Sequence, residues 1–303
     1  MRCAIVGLGI QGKKRRAVAG TDAVATVDID HAEAQYRSIT DVPLHSYDAA
    51  LVCTPDHAKI EILEYLLSNR KHVLVEKPLM AASTDQLVKL NSIAAAQRVS
   101  CYTAYNHRFE PHFVTMKRTI ESGSLGSIYA VKMFYGNGTA RDVRNSPWRD
   151  TAAGILPDIG SHLLDATLFL FGAQDYKFEP LVFKRCENKS FDYVNFASQV
   201  PFPVELSATL LSWRNSFRMD VFGEKGTAHI NCLCKWGPST YTQFGRVLPS
   251  GKPDEHSVTI ACADPTWKTE YDHFKSLCKT GISNIENDIW LNEVINGMAR
   301  KVL

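Results

Sequence analysis

Gly7, Gly9 and Gly12 follow directly on the apolar run CAIV and precede a segment of helical spacing, and this G-x-G-x-x-G constrains the fold more than any other feature of the chain. In a strand-loop-helix context the first glycine permits a tight turn, the second lets backbone approach a pyrophosphate, and the third lets helix and strand pack closely. Unpaired N–H groups at the helix start, around Ile10 and Gln11, then face the phosphate charge. Asp28 closes the next apolar run about 20 residues further on, where a carboxylate can accept hydrogen bonds from adenosine ribose hydroxyls and repel a 2′-phosphate. Asp30 is a rival for that role, or a helix cap. Lys13, Lys14, Arg15 and Arg16 could anchor a 2′-phosphate or form a solvated helix face. The expectation is NAD in preference to NADP.

The pattern continues through AVATVD, AALVCTP, HVLVEKP and SCYTAYN, with helical segments expected near 31–37, 58–69 and 84–98. Strands of Val, Ala, Leu and Ile without polar alternation suit a parallel sheet covered on both faces, a doubly wound α/β domain. From about residue 107 the pattern changes. A helix over 112–121 leads through the turn SGSLG into SIYAVKMFY. After a further helix, FDYVNFASQV, PVELSATLLSW, SFRMDVFG and TAHINCLC show period-two alternation or β-branched and aromatic enrichment. Residues 263–303 return to helical spacing. The fold class is therefore α/β: a Rossmann domain over 1–106, then an α+β domain with a largely antiparallel sheet over 107–303 for substrate binding and oligomerisation.

Length and charge narrow the partners. A chain of 303 residues is about right for two domains. Its 34 Lys and Arg against 32 Asp and Glu leave a net charge of +2, no field to attract nucleic acid or an anionic membrane. The apolar stretch at 163–173 is far shorter than the roughly 20 residues of a membrane-spanning helix. The opening MRCAIVGLG leaves no room for a signal peptide, so the expected location is cytoplasmic. Eight scattered cysteines read as reduced core thiols. Cys232 and Cys234 form the only close pair and find no further ligands, so no metal is expected.

Two constellations carry chemistry. Glu76, Lys77 and Pro78 end a buried strand, and strand ends on an open α/β sheet border the ligand crevice. In LPDIGSHLLD, the step from Asp158 to His162 puts a carboxylate and an imidazole on one helix face, with Asp165 continuing it. A carboxylate one turn away can orient an imidazole and tune it as a general acid/base for an alcohol or ketone. The alternative is a helix cap by Asp158 beside a surface or core-satisfied histidine.

Taken in order, GLGIQG, LVCTPDH, KHVLVEKPLM, YNHRFEP, SGSLGSIYAV, AAGILPDIGSHLLD and VFGEKGTAHI resemble the Gfo/Idh/MocA oxidoreductases over nearly the whole chain. The resemblance implies that Lys77 approaches the nicotinamide ribose and the substrate hydroxyl, with a cis bond before Pro78. It implies that His162 is the acid/base and Asp158 its partner or a substrate ligand. It also implies that Thr54, Pro55, His57 and Glu76 lie beside the cofactor, and that Asn106 and Arg108 lie on the substrate side. Trp148 and Arg149, just before the catalytic helix, could stack on and pair with a sugar. Two departures stand out: Lys59 replaces a second histidine common after the T-P-N-H motif, and Ala153-Gly154 replaces a run of three glycines.

The expected activity is hydride transfer between NAD(P) and a carbinol or keto carbon of a sugar, polyol or nucleotide sugar. The alternatives are an NAD-using glycosidase-like enzyme without net redox change, or a dinucleotide sensor without catalysis. A homodimer or homotetramer through the C-terminal sheet is expected.

Overall fold

The apolar run after Arg2 folds as strand β1 (Cys3–Val6), buried along its whole length, and the glycine loop delivers the chain into helix α1 (Ile10–Ala19). In the computed structural model, which describes residues 1–146 and 149–303, four more strands join β1: β2 (Ala23–Val27), β3 (Ala49–Val52), β4 (His72–Glu76) and β5 (Cys101–Ala104). All pair in parallel in the order β2-β1-β3-β4-β5. Helix α2 (Asp56–Ser68) joins β3 to β4, and α3 (Thr84–Gln97) joins β4 to β5. The α3 start is a capping box, with Ser83 Oγ accepting from Asp85 N and Gln86 Oε1 accepting from Ser83 N. Because β2 and β3 flank β1 on opposite sides, the winding reverses between β1 and β3. The ends of those two strands carry Gly7 and Cys53, at the switch point where ligands bind such sheets.

The helix expected at 31–37 is absent. Residues there form a turn, bends and an isolated bridge from Tyr36 to Val27, because side chains satisfy the backbone locally: Asp28 Oδ1 accepts from Asp30 N and His31 N, and Gln35 Oε1 accepts from Thr26 N.

The second sheet begins after helix α4 (Pro111–Glu121) with strand β6 (Ile128–Gly136). A short helix α5 (Ala140–Arg144), a π-helical turn at Leu156–Gly160 and α6 (Ser161–Phe171) precede strands β7 (Glu179–Lys184), β8 (Tyr193–Ser198), β9 (Val204–Thr209), β10 (Ser216–Gly223), β11 (Gly226–Asn231), β12 (Ser239–Gly245) and β13 (Glu255–Ile260). Their order is β13-β12-β11-β10-β6-β9-β8-β7, antiparallel except for β6 beside β9. Helix α6 is buried nearly all round, as its apolar composition requires. No helix among the described residues is long and apolar enough to cross a membrane. The sequence reading did not resolve β7, β12, β13 or α5. Strands β7 and β13 are the two sheet edges and lack a clean buried face.

The compact units break between Asn106 and His107, but they do not leave the whole of the later chain to the second unit. Helix α7 (Thr266–Cys278) and the first half of α8 (Ile285–Val302) belong with the N-terminal unit, which comprises Met1–Asn106 and Thr266–Glu293; the second unit is His107–Pro265 with Val294–Leu303. The reason is the open edge of β5, which presents unpaired backbone groups. Ser283 Oγ accepts from Cys101 N, Asn284 Oδ1 accepts from Thr103 N, and Asn284 N donates to Cys101 O. Ile285 joins the same apolar core as β1 and β3.

The basic run after the glycine loop also differs from expectation. Lys13, Lys14 and Arg16 are exposed, but Arg15 is buried, its Nε 2.6 Å from Glu76 Oε1 and its Nη1 2.7 Å from Glu270 Oε2, with the guanidinium 4.3 Å from the Trp267 ring centroid. Removing one partner from a buried ion pair leaves an uncompensated charge, at a cost of about 3–5 kcal/mol. Arg15→Met should therefore lower the unfolding free energy by about that amount in a denaturant titration. A midpoint equal to the parent's would show that the network does not hold this unit together.

Candidate functional site

The first unit builds a cradle from its three glycines. Gly7 has φ +90°, and a Cβ there would lie 2.7 Å from Cys53 O; a Cβ at Gly12 would lie 1.8 Å from Gly7 O. These two positions therefore hold helix, loop and neighbouring strand in direct backbone contact. Gly9 is different, since a Cβ there would meet nothing within 4 Å. It is the N-cap of α1, with no side chain bonded across it and no acidic residue in the first turn, while Ile10 and Gln11 are exposed. Open space over unpaired helix N–H groups is the geometry a pyrophosphate requires.

Asp28 leaves the end of β2 and turns back to this loop. Its Oδ2 accepts from Leu8 N at 2.7 Å and its Oδ1 from Asp30 N and His31 N at 3.0 Å. Partial burial acts to raise its pKa, but these backbone donors and the nearby His31 outweigh it and hold the carboxyl below its ordinary value. Asp30, the rival, is exposed and gives only its backbone N–H to Asp28. Across the switch point, Thr54 has a buried Oγ1 with no hydrogen-bond partner among the described residues, and Pro55 and His57 lie exposed at the start of α2. An orphaned hydroxyl beside the glycine cradle fits a dinucleotide's polar groups.

Lys77 follows the last residue of β4, half-buried, and the Lys77–Pro78 bond is cis. Glu76 has its carboxylate on Arg15. Its backbone oxygen accepts from the buried Lys59 ammonium, which also donates to Pro78 O and to Asp56 Oδ1, each at 2.7 Å. Asn106 is buried, and its Nδ2 donates to Thr266 Oγ1.

In the second unit, the π-helical turn at Leu156–Gly160 carries Asp158, and α6 begins immediately before His162. The uninterrupted α-helical step expected between them is thus a junction of two helix types. Asp158 is half-exposed, with Oδ2 3.4 Å from Arg149 Nη2. His162 is buried and lies flat against His107, the ring centroids 4.2 Å apart and the planes 22° from parallel. Tyr135, from the end of β6, approaches both rings, at 5.9 Å from His162 and 5.4 Å from His107. Burial first and the Asp158 charge second push the Tyr135 phenol above its ordinary pKa. Lys235 Nζ lies 3.1 Å from His107 Nε2. Arg108 does not point its charge into open space; it forms a bidentate pair with the buried Asp165. Trp148 lies outside the described residues.

Sequence reasoning did not mark His107, Tyr135 or Lys235 beside the imidazole. The motif YNHRFEP held the only signal, and it directed attention to the residues on either side of His107.

The loop entering the π turn is pinned by Asp150, which accepts from Ser190 N and Oγ at 2.8 Å and from Lys189 N at 3.2 Å. Within it Ala152 holds φ +48°, a left-handed conformation that glycine adopts more cheaply, at the place where the sequence departs from a glycine run.

Residues 1–105 match the family profile described as an oxidoreductase family with an NAD-binding Rossmann fold, and residues 113–229 match the GFO/IDH/MocA C-terminal domain. The scyllo-inositol 2-dehydrogenase (NADP(+)) IolW of Bacillus subtilis is 33% identical over 141 residues, 46% of this chain and 38% of that protein. The levoglucosan dehydrogenase of Pseudarthrobacter phenanthrenivorans is 29% identical over 158 residues, 50% of this chain and 39% of that protein. The matched stretches thus span well under half the length of these two relatives. A solved levoglucosan dehydrogenase in complex with NADH superposes with a TM-score of 0.81 at 17% identity, covering 99% of this chain and 96% of that one, a likeness of fold.

The cradle separates two glycine variants. Gly9→Ala should fold with the parent's thermal midpoint yet weaken NADH binding by about tenfold or more, because its methyl fills the space left for pyrophosphate. Gly12→Ala should lower the midpoint itself. Fluorescence titration with NADH and a thermal melt decide both, and a Gly9→Ala variant that binds NADH as tightly as the parent would exclude a dinucleotide from this loop.

Proposed function

Because the chain belongs to the Gfo/Idh/MocA oxidoreductase family, we propose that it is an NAD(P)-dependent dehydrogenase or reductase acting on a carbinol or keto carbon of a sugar, polyol or nucleotide sugar. The observation that carries the redox reading is the cradle: an open Gly9 at a helix start, with an ionised Asp28 bonded to the same loop. The sugar or polyol class is supported by the relatives named for scyllo-inositol and levoglucosan.

When bound, the nicotinamide accepts or supplies the hydride. His162 takes the hydroxyl proton in the oxidative direction and returns it in the reductive one. Its flat contact with His107 holds the imidazole plane, so the ring presents one nitrogen in a fixed direction. Lys77 stabilises the alkoxide charge that develops as the proton leaves. Asp158 and Arg149 orient substrate hydroxyls beside the imidazole, with Trp148, Asn106 and Arg108 completing the substrate contacts in this reading. Gly7, Gly9, Ile10, Gln11 and Gly12 receive the pyrophosphate, Asp28 the adenosine ribose, and Thr54, Pro55, His57 and Glu76 the nicotinamide side. NAD is the preferred cofactor, since Asp28 repels a 2′-phosphate and Arg15 is already held by two carboxylates.

The reading includes a cytoplasmic protein, supported by eight free cysteines, and a homodimer or homotetramer built on the eight-stranded sheet. That sheet carries exposed polar pairs such as Lys132 with Glu205 and Thr240 with Thr259.

Oxidation of NADH and NADPH, followed at their nicotinamide absorbance against a panel of sugars, keto-sugars, inositols and nucleotide sugars, identifies the substrate. Lys77→Met and His162→Ala should each keep NADH affinity while lowering turnover by about a hundredfold or more. Normal turnover by both variants would overturn the assignment of these two groups.

A further inference from the structure

The one ammonium group in the first unit with almost no exposure to solvent belongs to Lys59, at 2% side-chain exposure among the described residues. Lys59 is the fourth residue of α2. Its three N–H donors have three acceptors at 2.7 Å: Asp56 Oδ1, Glu76 O and Pro78 O. The one formal anion among them, Asp56, is half-exposed. A lysine needed only for charge balance would be better placed in water.

The identity of the acceptors gives the arrangement its meaning. Glu76 O belongs to the peptide plane that leads into Lys77, and Pro78 O to the plane that follows Pro78, so the two bracket Lys77, and both turn toward one cation. Because the Pro78 ring fixes its own φ, holding those two planes restricts the backbone at Lys77 between them, and with it the direction in which the Cα–Cβ bond leaves the chain. Asp56 follows directly on Thr54 and Pro55, so the same ammonium also joins the loop after β3 to the loop after β4. A neutral imidazole at this position carries a single N–H donor and could serve one acceptor. The ammonium serves all three.

We propose that Lys59 is a positioning residue for Lys77: its ammonium clips the two carbonyls flanking Lys77 to the start of α2 and so aims the Lys77 side chain. The proposal rests on the reading of Lys77 as the group that meets the reacting oxygen. Lys59 itself touches neither cofactor nor substrate in this reading.

The test reads Lys77 directly and needs no substrate. Wild type, Lys59→Met, which keeps the length of the side chain without its donors, and Lys59→Gln, which keeps an amide donor, are treated with limiting acetic anhydride. The acetylation rate of Lys77 is then followed by peptide mass spectrometry, with exposed Lys13 and Lys89 as internal standards. The expected result is a severalfold change in the Lys77 rate relative to the two standards in Lys59→Met, a smaller change in Lys59→Gln, and NADH affinity as in the parent. A Lys77 rate that is the same in all three proteins overturns the clip, since a side chain that merely fills space in α2 would leave it unmoved. Should Lys59→Met fail to fold, Lys59→Gln carries the same comparison, and an unchanged rate there overturns the proposal equally. Failure of the underlying reading is seen separately: a fully active Lys77→Met removes the catalytic role of Lys77, whatever its acetylation rate does in the Lys59 variants.

Discussion

One guanidinium, shielded from water, ties together the parts of the first unit on which a dinucleotide site depends. Arg15 stands one turn beyond Gly12, so its placement fixes the rotation of α1 and the direction of the free N–H groups at the helix start. Its partners come from far apart in sequence: Glu76 at the end of β4, Glu270 and Trp267 from α7. Arginine does not deprotonate in proteins, so the pair cannot relax by proton transfer to neutral groups from the cation's side. Buried ion pairs add little net stability compared with apolar residues of the same shape, but they tolerate the loss of one member badly. The arrangement therefore specifies geometry more than it adds stability. The strand end that carries Glu76 delivers Lys77 next, so the glycine loop and the Lys77 backbone share one anchor.

The second unit holds its imidazole by different means. His162 is fixed by a stacked ring, and that ring, His107, is in turn held by Lys235. The approach to the π turn is held by carboxylates that collect consecutive backbone amides. Asp192 accepts from Cys186 N, Glu187 N and Asn188 N, and Asp150 accepts from Lys189 N and Ser190 N. Five successive donors of one turn are satisfied by two side chains, which orders a segment that has no regular structure of its own. The Arg108–Asp165 pair locks α6 to the residues just after His107.

The parallel sheet was legible because its rules are local. A strand buried on both faces reads as an apolar run, and a glycine fingerprint has a fixed spacing, so β1 to β5 and the cradle could be placed from letters alone. The helix expected at 31–37 failed because Asp28 and Gln35 offer the backbone a closer partner than the next helical turn. The grouping of 266–293 with the first unit could not be read from letters, because the partners of that segment, the open edge of β5 and the buried Arg15, lie more than 150 residues earlier in the chain. Lys59 could be seen as a departure, but not its proposed role, because two of its three acceptors are backbone carbonyls that no residue letter records. His107 escaped notice for a similar reason: ring stacking leaves no spacing signature.

The same hydrogen-bond count bears on how sharply the first unit can choose between nicotinamide cofactors. An ionised carboxylate offers about four lone-pair sites. Three of those on Asp28 are taken by Leu8 N, Asp30 N and His31 N, which leaves room for a single ribose hydroxyl rather than a bidentate grip. The three N–H dipoles also offset part of the negative charge that a 2′-phosphate would meet. Meanwhile Lys13, Lys14 and Arg16 stay exposed one turn beyond the cradle, at a distance where salt screens but does not abolish their attraction. The proposed preference for NAD thus rests on one remaining carboxylate valence and on the removal of Arg15 into the interior. Charge alone at position 28 overstates the proposed preference, because three of the residue's acceptor sites already hold the loop that it is meant to police.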